Sequence, residues 1–403
     1  KERAFLISLD CGEYDAESSM AELEELAKTS GAEIIGEMIQ KRPAPEAATY
    51  MGKGALEEIC NFCSNHNIDL IIADGELSPV QIRNIEDLTG VRVIDRTTLI
   101  LDIFAMRAKS GEGKLQVELA QLKYRLPRLR GFGVEMSRTG AGIGTRGPGE
   151  TRLESDRRHI RRRISALEEE IKELKKHRGL IRDRRKKDGV ITAALVGYTN
   201  AGKSTLLNTL TDAQVFAEDK LFATLDPTSR AITLDDNRKI LLVDTVGFIR
   251  KLPHHLIEAF KSTLEEAKYA DYILHVVDAS NPQHEKQMHI VYDTLYQLDI
   301  REKTVITLFN KQDAVTEREP LHDLRADHTL AVSAREGTGL DELKELLAEL
   351  LRENKVLIER TIAYADAGIL QQIRKQGELL EEDYRPEGIY VKAYVPLELY
   401  GKL

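Results

Sequence analysis

The sequence has no tryptophan, few aromatic residues and only three cysteines among its 403 residues. Three cysteines are too few for a disulfide framework, so we expect a reducing, cytoplasmic setting. The longest apolar runs are shorter than ten residues, whereas a membrane-spanning helix needs about 20. The first residues lack an apolar run long enough for a secretory signal. We therefore expect neither a membrane protein nor a small disulfide-stapled one.

A net charge of −9 conceals one strongly basic segment. Residues 107–187 contain 24 Lys and Arg against 11 Asp and Glu, a net charge of +13, so the remainder carries −22. An acidic chain with one basic segment is typical of a localised polyanion-binding element, and nucleic acid is the favoured partner. The alternative interpretation is a solvated helical surface.

A phosphate-binding loop is predicted where an apolar, β-prone run meets the start of a helix. The pattern G-x-x-x-x-G-K-[ST] is matched by Gly197, Tyr198, Thr199, Asn200, Ala201, Gly202, Lys203 and Ser204, with Thr205 next. The glycines let successive backbone N–H groups point at phosphate oxygens, at the positive end of a helix dipole. Lys203 is expected to neutralise the β and γ phosphates, and Ser204 to ligate Mg²⁺. The motif therefore predicts nucleoside triphosphate binding.

Three downstream signals follow in the order that guanine-nucleotide binding requires. Their residues are Asp244, Thr245, Val246 and Gly247; then Asn310, Lys311, Gln312 and Asp313; then Ser333, Ala334 and Arg335. Asp244 is expected to reach the Mg²⁺ shell, and the Gly247 N–H the γ-phosphate. A buried Asp313 would accept hydrogen bonds from guanine N1–H and the 2-amino group, which adenine lacks. Lys311 would lie across the base, Asn310 would brace the loop, and the Ala334 N–H would bond guanine O6. Together these signals favour GTP over ATP.

A hydroxyl that completes the Mg²⁺ shell only with GTP is expected between the loop and Asp244. The candidate segment contains Phe222, Ala223, Thr224, Leu225 and Asp226, with Thr228 shortly after. Thr224 is the first choice and Thr228 the second. Such a loop is ordered by GTP and released after hydrolysis. Lys203, Thr224, Asp244 and Gly247 are accordingly the predicted catalytic residues, and Ser204 and Thr224 the predicted Mg²⁺ ligands.

The hydrophobic periodicity predicts an α/β fold with four domains. They are a small α/β N-terminal domain (1–96), a basic helical hairpin (97–188) with a glycine-rich loop (131–150), a P-loop GTPase domain (189–354) and a small α/β C-terminal domain (355–403). The GTPase domain is predicted to be a doubly wound sheet with its ligands at the strand carboxyl ends.

The hairpin is predicted to be long and antiparallel. In its second arm the apolar residues recur as a heptad seam, formed by Leu153, Ile160, Ile164, Leu167, Ile171, Leu174 and Ile181. The other positions are rich in arginine. Candidate RNA contacts are Arg138 and Arg146 in the loop and Arg152, Arg157, Arg158, Arg161 and Arg162 after it. A projecting basic rod suits insertion into folded RNA.

The chain resembles the HflX family of translational GTPases, which is related to the Obg group. The resemblance rests on the phosphate-binding loop, on Phe-Ala-Thr-Leu-Asp-Pro-Thr (222–228), and on Asp-Thr-Val-Gly-Phe-Ile (244–249). The most distinctive run is the glycine-rich segment from Ser137 to Glu154. The resemblance implies GTP and GDP as ligands, binding to the 50S ribosomal subunit and its RNA, and splitting of stalled or idle 70S ribosomes under heat stress. The family has also been associated with ATP binding by the N-terminal domain, where no P-loop is present.

Two residues bear on the rate of hydrolysis. Phe248 follows Asp-x-x-Gly where many GTPases place a glutamine that orients water. A phenyl ring cannot do this, so we expect slow intrinsic hydrolysis and activation by a partner, which can supply roughly 10³–10⁵ in rate. Asn200 is similar to the asparagine of relatives that use K⁺, so K⁺ is a candidate cofactor.

The leading hypothesis is a monomeric, GTP-driven ribosome-splitting factor. Two alternatives stay open: a GTPase that assembles the large subunit, and an RNA-remodelling ATPase that GTP regulates. A signalling switch that binds only proteins is disfavoured by the basic segment.

Overall fold

The fold was analysed in a computed structural model of the chain. It describes residues 1–12, 15–129, 148–211, 221–222, 228–234, 238–252, 254–315, 321–353 and 355–401. The glycine-rich tip predicted at 131–150 therefore lies almost wholly outside the described residues.

The contacts between residues divide the chain into two compact units. The first contains residues 1–174, 218–226 and 246–263, and the second contains 175–217, 227–245 and 264–403. The first unit thus includes two short segments that interrupt the sequence of the second. The four predicted domain boundaries stay a prediction.

The first unit begins with a four-stranded parallel sheet in the order β2-β1-β3-β4. The strands are β1 (Arg3–Asp10), β2 (Glu33–Lys41), β3 (Leu70–Ala73) and β4 (Arg92–Asp95). The helices between them are α1 (Ala16–Ser30), α2 (Lys53–His66) and α3 (Pro79–Thr89). Local sequence explains their ends, since the Asp15 carboxylate caps the first turn of α1 and Ser78 forms a capping box with Gln81 at α3.

Long helices follow the N-terminal sheet, as predicted. They are α4 (Arg96–Arg107), α5 (Gly111–Arg128) and α6 (Pro148–Lys187). Two ion pairs join α5 to α6, Glu118 with Arg163 at 2.7 Å and Lys123 with Glu168 at 2.7 Å. These helices form the predicted helical hairpin region.

The predicted heptad seam of α6 is only partly covered, with Ile160, Ile164 and Ile171 half-buried. Leu167 is fully buried, whereas Leu174 is 36% exposed and Ile181 is 41% exposed. A periodic apolar stripe specifies which face of a helix can pack, and the length of the partner helix decides how much of that face is covered. Because α5 has 18 residues and α6 has 40, α5 is too short to cover the whole seam.

The second unit is built on a six-stranded sheet in the order β10-β9-β8-β5-β7-β6, parallel except for β6. The strands are β5 (Ile191–Gly197), β6 (Thr228–Thr233), β7 (Lys239–Asp244), β8 (Tyr272–Asp278), β9 (Thr304–Asn310) and β10 (His328–Ala331). The helices are α7 (Lys203–Thr211), α8 (His254–Tyr269), α9 (His284–Gln297) and α10 (Leu340–Glu353). The predicted doubly wound α/β sheet is confirmed.

A three-stranded antiparallel sheet in the order β11-β13-β12 ends the chain. It comprises β11 (Lys355–Ile362), β12 (Glu378–Arg385) and β13 (Gly388–Pro396), with the helices α11 (Ala367–Gln376) and α12 (Leu397–Tyr400). The sequence pattern predicts a helix from Ala367 to Leu380, but α11 ends earlier, at Gln376. Gly377 has extended backbone, and the residues after it pair with β13 instead. In the described part of the chain, no helix has the length and apolarity that a membrane crossing needs.

Candidate nucleotide-binding site

The phosphate-binding loop connects the central strand β5 to α7, which is the predicted context. Gly197 has φ +158°, and a Cβ there would collide with the backbone carbonyl of Val276 on the neighbouring strand. Gly202 has φ +95°, and its Cβ would collide with the Asn310 side-chain amide. Asn200 has φ +59°, a conformation that asparagine tolerates better than most residues. Both glycines are therefore fixed by backbone conformation and by close packing.

Lys203 opens α7 and is only 6% exposed. Its Nζ donates to the carbonyl oxygens of Gly197 at 3.2 Å and Tyr198 at 2.9 Å. Burial lowers the pKa of this ammonium to about 8, although the Asp244 carboxylate opposes the shift. Carbonyl dipoles alone compensate the charge of this buried ammonium poorly. The loop is therefore suited to bind an anion.

The next residue along α7, Ser204, lies against the end of β7. Its hydroxyl donates to Asp244 Oδ2 at 2.8 Å, and Asp244 is fully buried. A hydroxyl and a carboxylate side by side are hard oxygen ligands, the kind that Mg²⁺ takes together with phosphate oxygens. Thr245 is turned away from this pair, since its hydroxyl donates to the carbonyl of Leu195 at 2.7 Å.

Asn310 joins the phosphate-binding loop to the last predicted signal. Its Nδ2 donates to the Ala201 carbonyl at 2.9 Å, and its Oδ1 accepts from the Ala334 N–H at 2.8 Å. The geometry is that of a brace, as the sequence predicted. The Ala334 N–H, which the sequence assigned to guanine O6, is engaged by Asn310 in this structure.

The predicted base-recognition carboxylate lies in a short 3₁₀ turn (Gln312–Ala314) directly after β9. Ser333 Oγ donates to Asp313 Oδ1 at 2.7 Å. Asp313 is exposed in this structure, because the turn projects past the strand end. Lys311 pairs with Asp278 at 2.8 Å. Sequence reasoning missed Asp278, although its position at the carboxyl end of β8 marks the same sheet edge.

The remaining predicted residues fall into three groups. In the second unit, Tyr198, Thr199 and Ala201 are buried, Thr205 is half-buried, Gln312 donates to the Phe309 carbonyl at 3.1 Å, and Arg335 is exposed. Phe222, Val246 and Gly247 belong to the first unit. Ala223, Thr224, Leu225 and Asp226 lie outside the described residues, and Thr228 begins β6.

Four of the arginines predicted to contact RNA share one groove on the first unit. Arg157, Arg158, Arg161 and Arg162 of α6 line a groove of about 580 Å³ together with Glu154 and Ser165. The predicted Arg138 and Arg146, and the side chain of Arg152, lie outside the described residues. We call these four side chains the arginine row.

A doubly wound sheet whose central strand leads into G-x-x-x-x-G-K-S, with N-K-x-D at the carboxyl end of β9 two strands away, defines a P-loop GTPase. Three family models match consecutive parts of the chain: a GTP-binding GTPase N-terminal region (17–105), a GTP-binding GTPase middle region (107–185) and a 50S ribosome-binding GTPase (192–311). The chain belongs to the HflX family of GTPases.

Curated relatives match the chain over most of its length. GTPase HflX of Lacrimispora saccharolytica is 56% identical over 404 residues, covering 100% of this chain and 96% of that protein. GTPase HflX of Escherichia coli is 42% identical over 353 residues, covering 87% and 83%. A solved structure, a GTP-binding protein from Sulfolobus solfataricus in complex with GDP, is 27% identical over 87% of this chain and 98% of its own, with a TM-score of 0.46.

Proposed function

We propose that this GTPase binds the 50S ribosomal subunit and splits stalled or idle 70S ribosomes in the cytoplasm. The observation that carries the proposal is the arginine row on α6. The four guanidinium groups line one groove within a segment of net charge +13. Phosphate backbones attract such a surface, and structured RNA is the polyanion that an elongated basic helix fits. The matched 50S ribosome-binding model supports the same partner.

The second unit supplies the nucleotide site in this proposal. Lys203 neutralises the terminal phosphates, and Asp313 accepts hydrogen bonds from the guanine edge. Ser204 and Asp244 hold Mg²⁺ directly or through water, and the ion would supply charge neutralisation between the β and γ phosphates. The hydrogen bond from the Ser204 hydroxyl to Asp244 at 2.8 Å supports this assignment, because it places the two candidate oxygen ligands side by side. K⁺ near Asn200 is a second candidate cation.

The first unit supplies the segments that respond to the γ-phosphate. The Thr224 hydroxyl is proposed to join the Mg²⁺ shell and the Gly247 N–H to meet the γ-phosphate, so that both segments are ordered by GTP. Hydrolysis then releases the factor from the subunit. The proposal assigns splitting to tight binding in the GTP state and assigns release to hydrolysis.

The test is sedimentation of 70S ribosomes with the protein and GTP, a non-hydrolysable GTP analogue or GDP. We expect both triphosphates to convert 70S ribosomes into subunits with the protein on 50S, and GDP to have no effect. If 70S ribosomes stay intact while free 50S retains the protein, splitting is refuted and a role in large-subunit assembly replaces it. Loss of all ribosome binding would refute the proposal entirely.

The role of the arginine row is tested by reversing its charge. The variant Arg157→Glu, Arg158→Glu, Arg161→Glu, Arg162→Glu should lose 50S binding and keep its affinity for GTP. A matched control reverses four other basic residues of α6, which are Lys172, Arg184, Lys186 and Lys187. Equal loss in both variants would mean that total charge, and not the arginine row, holds the subunit.

A further inference from the structure

A buried carboxylate, Asp74, lies at the carboxyl edge of the N-terminal sheet. In the order β2-β1-β3-β4 the chain reverses its direction of winding between β1 and β3, the place where open parallel sheets bind ligands. Asp74 directly follows β3 and is fully buried. Its Oδ2 accepts from the hydroxyls of Ser8 on β1 at 3.2 Å and Ser19 on α1 at 2.7 Å. We call this place, formed by Asp74, Ser8 and Ser19, the Asp74 crevice.

Two cations neutralise the carboxylate in this crevice. Arg96, the first residue of α4, pairs through Nη1 with Asp74 Oδ1 at 2.8 Å. Lys251 pairs through Nζ with Asp74 Oδ2 at 2.6 Å, although it lies 177 residues further along the chain. Burial alone would raise the pKa of the Asp74 carboxyl, but the Arg96 and Lys251 charges outweigh it and hold that pKa below its usual range. The Asp74 crevice therefore holds an ionised carboxylate that is paired with both Arg96 and Lys251.

Lys251 reaches the crevice from the segment that follows Asp-x-x-Gly. It lies four residues after Gly247 and has φ +54°, a left-handed conformation that lysine rarely adopts. The preceding carbonyl, that of Arg250, accepts from Arg96 Nη2 at 3.2 Å. A strained backbone of this kind persists only where its surroundings hold it. The Asp74 crevice and Arg96 provide those holding contacts.

The segment that precedes Thr224 contacts the same helix through an aromatic pair. Phe222 lies two residues before Thr224 and also has a left-handed backbone, with φ +55°. Its buried ring packs edge-on against Phe104 of α4, with centroids 4.7 Å apart and planes at 78°. Each segment thus has a strained residue beside one end of α4 (Arg96–Arg107).

We propose that the N-terminal α/β sheet and α4 form a docking surface for the segments that contain Lys251 and Phe222. The contacts on this surface differ between the GTP-bound and the GDP-bound protein. Lys251 docks through its ion pair with Asp74, and Phe222 docks through its ring contact with Phe104. The γ-phosphate of GTP orders both segments, whereas GDP has no γ-phosphate to do so. A change of nucleotide therefore changes the contacts at Asp74, Arg96 and Phe104. Because Asp74 and Lys251 are 177 residues apart in the sequence, their ion pair forms only in the folded protein.

Hydrogen–deuterium exchange of the full-length protein tests the proposal directly. The protein is compared with GDP and with a non-hydrolysable GTP analogue, in Mg²⁺. In the wild type, peptides covering 70–78, 96–107 and 246–252 should differ in protection between the two nucleotides. In Lys251→Met, the difference at 70–78 and 96–107 should fall by at least half, while peptides of the phosphate-binding loop stay protected by both nucleotides. Arg96 still pairs with Asp74 in this variant, so the fold is retained.

Two further variants distinguish the effect of losing the ion pair between Lys251 and Asp74 from the effect of substituting a lysine in general. Lys251→Arg keeps the positive charge and should keep the wild-type difference. Lys28→Met removes an exposed lysine that pairs with Glu24 and Glu25 in the same unit and should change nothing. The proposal is overturned if the wild-type peptides are the same with both nucleotides, or if Lys251→Met retains the full difference. It is also overturned if Lys28→Met loses the difference as well.

An equilibrium measurement gives an independent check. Coupling between two sites is reciprocal, so a contact that responds to nucleotide must also change nucleotide affinity by the same factor. The ratio of the affinities for the GTP analogue and GDP should therefore change at least threefold in Lys251→Met, and stay constant in Lys28→Met. If the ratio of GTP-analogue affinity to GDP affinity rises in Lys251→Met, the Lys251 contact stabilises the GDP state. If the ratio falls, the contact stabilises the GTP state. An unchanged ratio would refute the proposal.

Discussion

Lys203 holds a buried ammonium between two carbonyl oxygens, and its pKa of about 8 makes nucleotide binding dependent on pH. Below about pH 8 the free protein already carries the charge that the phosphates need. Above it the ammonium is largely neutral, and phosphates must restore the proton, so affinity for GDP should fall by up to about tenfold per pH unit. Calorimetry at about pH 7 and 9 should detect proton uptake only at the higher pH.

The control for this titration is Lys203→Arg, whose guanidinium stays charged throughout the range. If this variant binds GDP with an affinity that falls equally above pH 8, the dependence belongs to another group. A wild-type affinity that stays constant to about pH 9 would contradict the assigned role of the Lys203 charge.

His275 on β8 makes stability depend on pH at the acidic side. Its side chain is 1% exposed, and burial lowers its pKa to about 4, although the Asp323 carboxylate opposes the shift. The unfolded chain takes up a proton near pH 6.5, whereas the folded chain does not until about pH 4. Stability is therefore complete above pH 6.5 and falls as the pH drops towards 4, by about 3 kcal/mol in all.

Because the chain lacks tryptophan, urea unfolding is best followed by circular dichroism, at about pH 7.5 and 5. His275→Gln should lose less stability between these conditions than the wild type. The exposed His289 provides the control His289→Gln, which should keep the wild-type dependence. Parallel behaviour of His275→Gln and the wild type would mean that other groups cause the acid sensitivity.

At the scale of single elements, the phosphate-binding loop depends on the fit of Gly202 against Asn310. Gly202→Ala would push the Asn310 amide away from the Ala201 carbonyl that it holds at 2.9 Å. We expect at least a tenfold loss of nucleotide affinity, equivalent to about 1.4 kcal/mol, measured with a fluorescent GDP.

Gly179→Ala is the matched control for this substitution. Gly179 lies inside α6 with open space around the position of a Cβ, so alanine should stabilise the helix by up to about 1 kcal/mol and leave affinity unchanged. If Gly202→Ala binds GDP with wild-type affinity, the contact of Asn310 with the phosphate-binding loop is not needed for nucleotide binding.

The sequence predicted the elements of the nucleotide site because each signal there is local. Strand, turn and helix follow one another without interruption between residues 191 and 211, and the glycine positions report backbone conformation directly. The sequence pattern also predicts N-terminal strands at 4–9, 34–39, 68–73 and 91–95, each within two residues of the ends of β1 to β4. The edge strands β11 and β12 were missed, since β12 begins immediately after a helix and reads as its continuation.

Non-local features could not be predicted from the sequence. Nothing in the neighbourhood of Asp74 or Lys251 indicates that they pair across 177 residues. The heptad pattern of α6 correctly identified Leu167 as a packing residue, but the pattern did not show how far a partner extends. The exposure of Asp313 depends on where a turn projects after β9. Such properties arise only once the elements have packed.

At the scale of the whole molecule, the arginine row and the nucleotide site belong to different units. The residue after Asp-x-x-Gly, Phe248, is 1% exposed, so its ring packs in the apolar interior and offers no hydrogen bond to a water molecule. We therefore expect the free protein to hydrolyse GTP slowly. A partner that binds the arginine row can therefore act on hydrolysis either through the chain or by contacting the nucleotide site directly.

We accordingly expect the 50S subunit to accelerate GTP hydrolysis by roughly 10³ or more over the free protein, measured as phosphate release under multiple turnover. Charge reversal of the arginine row should abolish this acceleration and leave the free rate unchanged, because the row contributes no group to the phosphates. Lys251→Met should bind 50S like the wild type but show weakened acceleration, since the signal would no longer pass through the Asp74 crevice. Full acceleration in Lys251→Met would mean that the partner acts on the nucleotide site directly, with its own groups completing it.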